Sequence, residues 1–380
     1  MLDQDETWPT LDDIFDAYFD CRRRKRNTIN QLAFEQHLEP NLVRLWRDIH
    51  AGAYRIGPSI AFVITRPKVR EVWAADFRDR VVHHLLYNAI ADRFEPGFIR
   101  DSYASIKGRG IHDGMMRARY FARAVSRNHS RRAYAAKIDI ANFFMSIDKT
   151  RLDALLYRRA GSHPCWPLLQ QVLHHDCRED AYFKSPDWLF SKVPTHKSLL
   201  HSPRERGLPI GNLTSQFFAN IYLHELDRFV KHELRARYYG RFVDDMILMH
   251  EDAGQLTTWI GEIDDFLKRT LSISLNPAKT YLNKVSAGFD FCGFWIKPGR
   301  VYLRQTTWKG AKARVRSVTD NGPPVLPEDI DGLVQTTNSY LGMLHHVDGY
   351  RARKALAHRA SNLFAGPDDD FRRIAMKPRQ

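Results

Sequence analysis

The sequence predicts an α+β fold. Three observations carry that prediction: long segments with apolar residues at helical spacing, short apolar runs bounded by turn residues, and no internal repeat of the kind that builds solenoids or propellers. At 380 residues, with 43% hydrophobic and 12% aromatic side chains, the chain can bury a large core and divide into two or three subdomains. Lys and Arg number 58 against 44 Asp and Glu, a formal charge of +14, which favours a polyanionic partner, nucleic acid first. No run approaches the ~18 apolar residues of a membrane span. The acidic start MLDQDETWPT lacks the apolar stretch of a signal peptide, so a cytoplasmic protein without a membrane partner is expected. Cys21, Cys165, Cys177 and Cys292 show no paired spacing, as in a reducing compartment.

Taken in order, residues 11–55 read as helices, with Leu11, Ile14, Phe15 and Phe19 at helical spacing. The basic run Arg22, Arg23, Arg24, Lys25, Arg26 either grips phosphates or presents a solvated helix face. Residues 60–73 predict a short hairpin turning at TRPK, and DRVVHHLLYNAIADRF an amphipathic helix. Residues 178–206 hold three prolines and no clear period, which predicts a long surface loop. The tail AGPDDDFRRIAMKPRQ is expected to fray.

Chemistry concentrates in three segments. AYAAKIDIANFFMSID runs as a strand to Asp139 and then turns into a helix. GLPIGNLTSQFFANIYLHELDRFV starts with a Gly/Pro turn and continues as a helix through Leu213, Phe217, Ile221, Tyr222, Phe229 and Val230. YYGRFVDDMILMH is hairpin grammar with Asp244 and Asp245 at the tip. An Asp-Asp pair is ordinarily a surface turn, but Phe242, Val243, Met246, Ile247 and Leu248 make these strands too apolar for one. Two carboxylates at a tip, with a third from another strand, form a hard-oxygen pocket suited to Mg²⁺. Two ions held ~3.5–4 Å apart can stabilise both the attacking and the leaving oxygen of a phosphoryl transfer. Cys165, His174, His175 and Cys177 fit no standard zinc spacing.

With those segments in view, the sequence resembles the reverse transcriptases. Asp139 with IANFF, then GLPIGNLTSQFFAN, then FVDD are similar to the family's palm motifs in order and separation. FRDRVVHHLLYNAIADRFEPGFIRDSYASIKGRGIHDG looks like the fingers of bacterial retroelement enzymes, SLNPAKTYLNKVSAGFDFCGFWI like later palm elements, and NSYLGMLHH like the start of a thumb. The resemblance covers about residues 12 to 355. It implies a right-hand polymerase, with fingers and palm built on antiparallel sheet and a small helical thumb. It also implies an order of parts: a helical extension over 1–55, fingers over 56–134, palm over 135–296 with an insertion at about 150–206, thumb over 297–364, and a flexible tail over 365–380. About 25 residues follow the thumb-like segment, too few for an RNase H or endonuclease domain.

Carried over residue by residue, the resemblance makes Asp139, Asp244 and Asp245 the metal-binding catalytic triad, served by two Mg²⁺ ions for which Mn²⁺ can substitute. Phe144 matches the bulky gate that excludes a ribose 2′-OH, with a core phenylalanine as the plain alternative. Lys68 and Arg70 match the finger cations that hold the incoming triphosphate, exposed hairpin charge being the alternative. Lys279 matches a palm lysine near the nucleotide, and Gly211 and Gln216 belong to the nucleotide-facing middle motif. Two departures stand out. Ile210 occupies a place where many relatives carry Gln, with Ser215-Gln216 for Ser-Pro, a form similar to diversity-generating and defence-associated enzymes. Phe242 stands where Tyr is usual. The implied partners are an RNA template, its cDNA, deoxynucleoside triphosphates, and an accessory protein or noncoding RNA. The function expected is RNA-directed DNA synthesis in a bacterial retroelement or antiphage system. The alternatives are a template-independent or protein-primed DNA polymerase, and a catalytically silent RNA-binding protein.

Overall fold

The protein is described from a computed structural model over residues 8–23, 28–65, 68–319, 327–359, 364–365, 370–373 and 375–376. Its N-terminal portion is helical, as the periodicity predicts. Helix α1 (Leu11–Arg22) opens on a capping box, Thr10 N–H donating to Asp13 Oδ2 at 2.9 Å and Asp13 N–H to Thr10 Oγ1 at 3.1 Å. Its buried stripe is Ile14, Ala17, Tyr18 and Cys21, whereas Phe19 is 57% exposed. The helix is turned relative to the expected Leu11–Phe19 face because Tyr18 is drawn inward, its ring edge-on to Phe77 and its hydroxyl donating to Glu35. Helices α2 (Ile29–Glu35) and α3 (Leu38–His50) complete this region.

Strands β1 (Ser59–Ile64) and β2 (Arg70–Ala74) form the antiparallel hairpin that the sequence predicts, from Ile60↔Ala74 to Ile64↔Arg70. Helix α4 (Phe77–Phe94) departs from expectation. Rather than amphipathic, it is enclosed, packed by α1 on one side, with Phe77, Val81, Val82, Leu85, Leu86 and Ile90 buried alongside Asp79 and His83. Its buried polar groups are matched: Tyr54 Oη and Gly57 N–H donate to Asp79, both at 2.8 Å, and His83 Nδ1 lies 2.7 Å from Thr214 Oγ1. Burial pushes His83 down to about 3, so it stays neutral.

Helix α5 (Ile111–Val125) leads to β3 (Tyr134–Asp139), the one-turn α6 (Phe143–Ser146), α7 (Lys149–Ala160) and α8 (Trp166–His174). The 178–206 segment is not the featureless loop expected. It forms β4 (Ala181–Phe183), which pairs parallel with β1, and the short α9 (Asp187–Phe190). It also covers Glu71, a carboxylate 1% exposed on β2, which accepts from Trp73 Nε1 at 3.0 Å, Ser198 Oγ at 2.7 Å and the Leu199 and Leu200 amides. A buried carboxylate needs such donors, and this segment supplies them.

Next come α10 (Leu213–Arg228), β5 (Tyr238–Phe242), β6 (Asp245–His250), α11 (Ala253–Phe266), β7 (Tyr281–Lys284), β8 (Phe289–Phe291), β9 (Phe294–Lys297) and β10 (Arg300–Leu303). Helices α12 (Gln305–Thr319), α13 (Pro327–His345) and α14 (Tyr350–Arg359) follow. The tail expected to fray instead pairs β11 (Phe364–Ala365) with β12 (Ala375–Met376), and Asp370 accepts from Arg353 at 3.1 Å.

The central sheet runs β5-β6-β3-β7, all antiparallel, and lies between two cores. Ala136, Ile138, Met246 and Leu248 face the larger core with α4 and α10, while Ala135, Ile247 and Met249 face a second one with Phe121, Phe291 and Phe294. Burial on both faces explains why these strands read as unbroken apolar runs. Among the described residues, no helix is long and apolar enough to cross a membrane.

Candidate active site

Antiparallel register, more than sequence proximity, assembles the carboxylates. Asp139 ends β3 directly opposite Asp245 at the start of β6, and Asp244 sits in the β5–β6 turn beside them. Val243 in that turn has φ +56°, an uncommon conformation for a β-branched residue. The turn is braced from below by Arg241, which is fully buried. Arg241 donates to Asp227 through Nε at 2.8 Å and Nη2 at 2.6 Å, and through Nη1 to Asn220 Oδ1 and the Val243 carbonyl, both at 3.2 Å. Tyr239 Oη adds a bond to Asp227 at 2.7 Å. A strained turn persists where its surroundings over-determine it, and this network does so.

Each carboxylate has its own electrostatic setting. Lys279 Nζ donates to Asp139 Oδ1 at 2.6 Å. Asp244 is held above the usual carboxylate range by burial and then by the charge of Asp139, with Lys279 and Arg70 opposing. Burial raises Asp245 to about 6 in spite of Lys137, whose Nζ lies 3.2 Å from Asp245 Oδ2. Asp245 Oδ1 is buried and has no hydrogen-bond partner. Lys68 is depressed by burial, then by the positive charges of Lys279, Arg70 and Lys197. Lys68 and Arg70, at the turn end of the β1–β2 hairpin, are thus near enough to Lys279, Asp139 and Asp244 to feel their charges.

Of the remaining residues singled out, Phe144 follows Asp139 on α6, half-buried, its ring 5.4 Å from Phe143 and packed against the cluster of Ala61, Trp73 and Met145. Ile210 packs on that same cluster, and its carbonyl accepts from Trp73 N–H at 2.8 Å. Gly211 is obligatory for space: at φ +132°, a Cβ would lie 2.9 Å from Val72 Cγ1. Gln216 is exposed and accepts from Ser105 Oγ at 2.8 Å. Of the basic run, the two described residues pair within the N-terminal helices. Arg22 pairs with Glu35 at 2.7 Å and Arg23 with Asp20 at 2.9 Å, while Arg24, Lys25 and Arg26 lie outside the described residues.

Sequence reasoning missed Lys137, Asp290 and Lys197. The signal for Lys137 is a lone lysine in a buried strand, two residues before Asp139 and so on the same face. Asp290, enclosed between Phe289 and Phe291, is the analogous polar interruption of an apolar run.

Among the described residues, no three His, Cys, Asp or Glu donors converge into a preformed metal cage. Hard cations such as Mg²⁺ do not require one, since they bind through one or two carboxylates plus water and phosphate oxygens. The donor set is nonetheless suited to such an ion: hard oxygens only, one of them orphaned, with Asp244 and Asp245 raised by burial. The family described as Reverse transcriptase (RNA-dependent DNA polymerase) matches residues 66–296, more than half of the chain.

The chain belongs to the reverse transcriptase family. As a reverse transcriptase it is α+β with the right-hand polymerase architecture, and its family membership implies a general dependence on divalent metal. No curated protein matches its sequence. Among solved structures, this reverse transcriptase is similar to apo telomerase from Candida tropicalis truncated of its C-terminal domain, at 12% identity and a TM-score of 0.45, over 66% of this chain and 55% of the other. It is also similar to telomerase from Candida albicans in complex with a TWJ fragment of telomeric RNA, at 12% identity and a TM-score of 0.43, over 85% of this chain and 64% of the other. The match thus spans little more than half the length of the first of these.

Proposed function

We propose that this reverse transcriptase copies a dedicated RNA into cDNA, consuming deoxynucleoside triphosphates, with Asp139, Asp244 and Asp245 as its metal-binding catalytic residues. The observation that carries the reading is the register Asp139↔Asp245 with Asp244 in the adjoining turn, faced by Lys279, Lys68 and Arg70. Two Mg²⁺ ions, or Mn²⁺ in their place, would supply charge neutralisation at the attacking and leaving oxygens. The protein's own contribution is placement. Lys68, Arg70 and Lys279 hold the triphosphate, an Arg doing so with two donors at once. Phe144 closes the space beside the sugar and favours deoxyribose. Gly211 lets the chain approach closely at the nucleotide edge, with Gln216 nearby. Ile210 offers apolar contact only, which leaves base selection more to shape and lowers fidelity.

In this reading residues 56–134 act as fingers, with β4 of the 150–206 insertion adding a strand to them, residues 135–296 as palm and residues 297–364 as thumb. Because β11 pairs with β12, the 364/365 boundary falls inside one folded pair. The motif form around Ile210 supports a bacterial retroelement or antiphage setting in the cytoplasm, with an accessory protein or noncoding RNA alongside the template. The test is primer extension on a defined RNA template. The wild type should extend with Mg²⁺ or Mn²⁺, and Asp244→Asn should lose more than about 1000-fold of that rate while keeping its circular-dichroism spectrum, since a charge opposite the metals is gone. Retained synthesis by Asp244→Asn would sink the reading.

A further inference from the structure

The carboxylates of the site are not equivalent. Asp139 is met by a lysine that is substantially exposed, Lys279, whereas Asp245 is met from inside the protein by Lys137, only 7% exposed. Lys137 is itself anchored. Its Nζ donates to Asp290 Oδ1 at 2.7 Å, closer than its 3.2 Å approach to Asp245 Oδ2. Asp290, on β8, is held in turn by Tyr281 Oη at 2.5 Å and by Arg304 on its other oxygen. Tyr281 stands opposite Lys137 in the β3–β7 register, so the sheet fixes both donors at once. A lysine side chain normally carries considerable rotamer freedom, and one gripped by an anchored second carboxylate has lost it.

Resting on the metal-dependent reading above, we infer that Lys137, anchored by Asp290, is a positioning residue that locks the Asp245 carboxylate by engaging Oδ2 and leaves Oδ1 as the ligand atom. The unpartnered, buried state of Oδ1 fits that division of the two oxygens. Partners that orient a ligating carboxylate typically matter 10- to 100-fold for metal affinity. The rival is that Lys137 is a plain buried counter-ion. The two differ in sign. A counter-ion competes with the metal, so its removal adds net negative charge and tightens binding, whereas loss of a positioning residue weakens it.

The experiment is Mn²⁺ binding to the full chain without nucleotide, followed by electron paramagnetic resonance, with thermal melting in EDTA to confirm folding. Lys137→Met should weaken Mn²⁺ binding about 10-fold or more, and Lys137→Arg should retain most of it because the charge and donors persist. Lys137→Gln, which also removes the charge but keeps a polar side chain, answers the question if Lys137→Met does not fold. Unchanged or tighter Mn²⁺ binding in a folded variant overturns the inference alone. A wild type that binds no Mn²⁺, or an Asp244→Asn variant that binds it as the wild type does, overturns the metal reading and the inference with it.

Discussion

Two hairpins carry the charges of this reverse transcriptase, and they are built on opposite plans. The β5–β6 hairpin pairs with β3, and its strands are buried almost throughout, leaving only its end residues and the Val243–Asp245 turn partly open. The β1–β2 hairpin alternates buried and open positions along β1, pairs at its edge with the three-residue β4, and ends toward Lys68 and Arg70. The first holds carboxylates in a fixed frame braced by the buried Arg241–Asp227 pair. The second presents cations on a partly open edge. The difference teaches where rigidity belongs: ligand atoms for small cations have to be held within fractions of an ångström, while a triphosphate is gripped by long side chains that adjust.

The largest expected contrast is in stability. Arg241→Met leaves Asp227 charged, buried and short of its main partner, which should cost about 3–5 kcal/mol in chemical denaturation. Lys68→Ala, at the open hairpin, should stay within about 0.5 kcal/mol. Equal losses would erase the distinction between the two hairpins.

Next in size is a pH effect confined to the enclosed hairpin. Asp245 is raised to about 6, so the folded, metal-free chain holds that proton more tightly than the unfolded chain. The resulting stability is full below about pH 4 and is lost as pH rises through 6. In EDTA, the wild type should therefore lose up to about 3 kcal/mol relative to Asp245→Asn between pH 4 and pH 7. Parallel melting curves for the two proteins would show that burial at the turn does not penalise this charge.

At the open hairpin the effect should appear in binding. Removing the charge-assisted contacts proposed for Lys68 should raise KM for a deoxynucleoside triphosphate about 10- to 100-fold with little change in Tm, as contacts to charged groups contribute about 1.5–3 kcal/mol. A KM equal to that of the wild type would return Lys68 to ordinary surface charge. The smallest effect concerns Phe144, which packs between the two regions. Phe144→Ala should admit ribonucleotides, shifting the deoxyribose preference about 10-fold, the scale expected of apolar shape selection. Unchanged discrimination, measured by competing dNTP and rNTP incorporation, would make Phe144 a core residue only.

Much of this arrangement was legible in the sequence because it is local. Period and turn residues announce both hairpins, the strand to Asp139 and the α10 helix, and an acidic pair within an apolar run points to a candidate site. What failed locally failed for a tertiary reason. α4 looked amphipathic, yet partners surround it and its Asp79 and His83 are satisfied by Tyr54 and Thr214 from distant segments. The 178–206 segment has no period of its own, because its order comes from pairing with β1 and from capping Glu71.

By itself, then, the sequence determined most of the elements, the family motifs and which three aspartates to propose for the site, since spacing and residue chemistry act over a few positions. The tertiary structure alone decided that Asp139 and Asp245 stand opposite one another, that Arg241 braces the turn from beneath, and that Lys137 and Asp290, 153 residues apart, meet behind Asp245. Strand register and buried ion pairing join residues whose separation along the chain carries no signal of their contact, so only the folded sheet could bring those partners together.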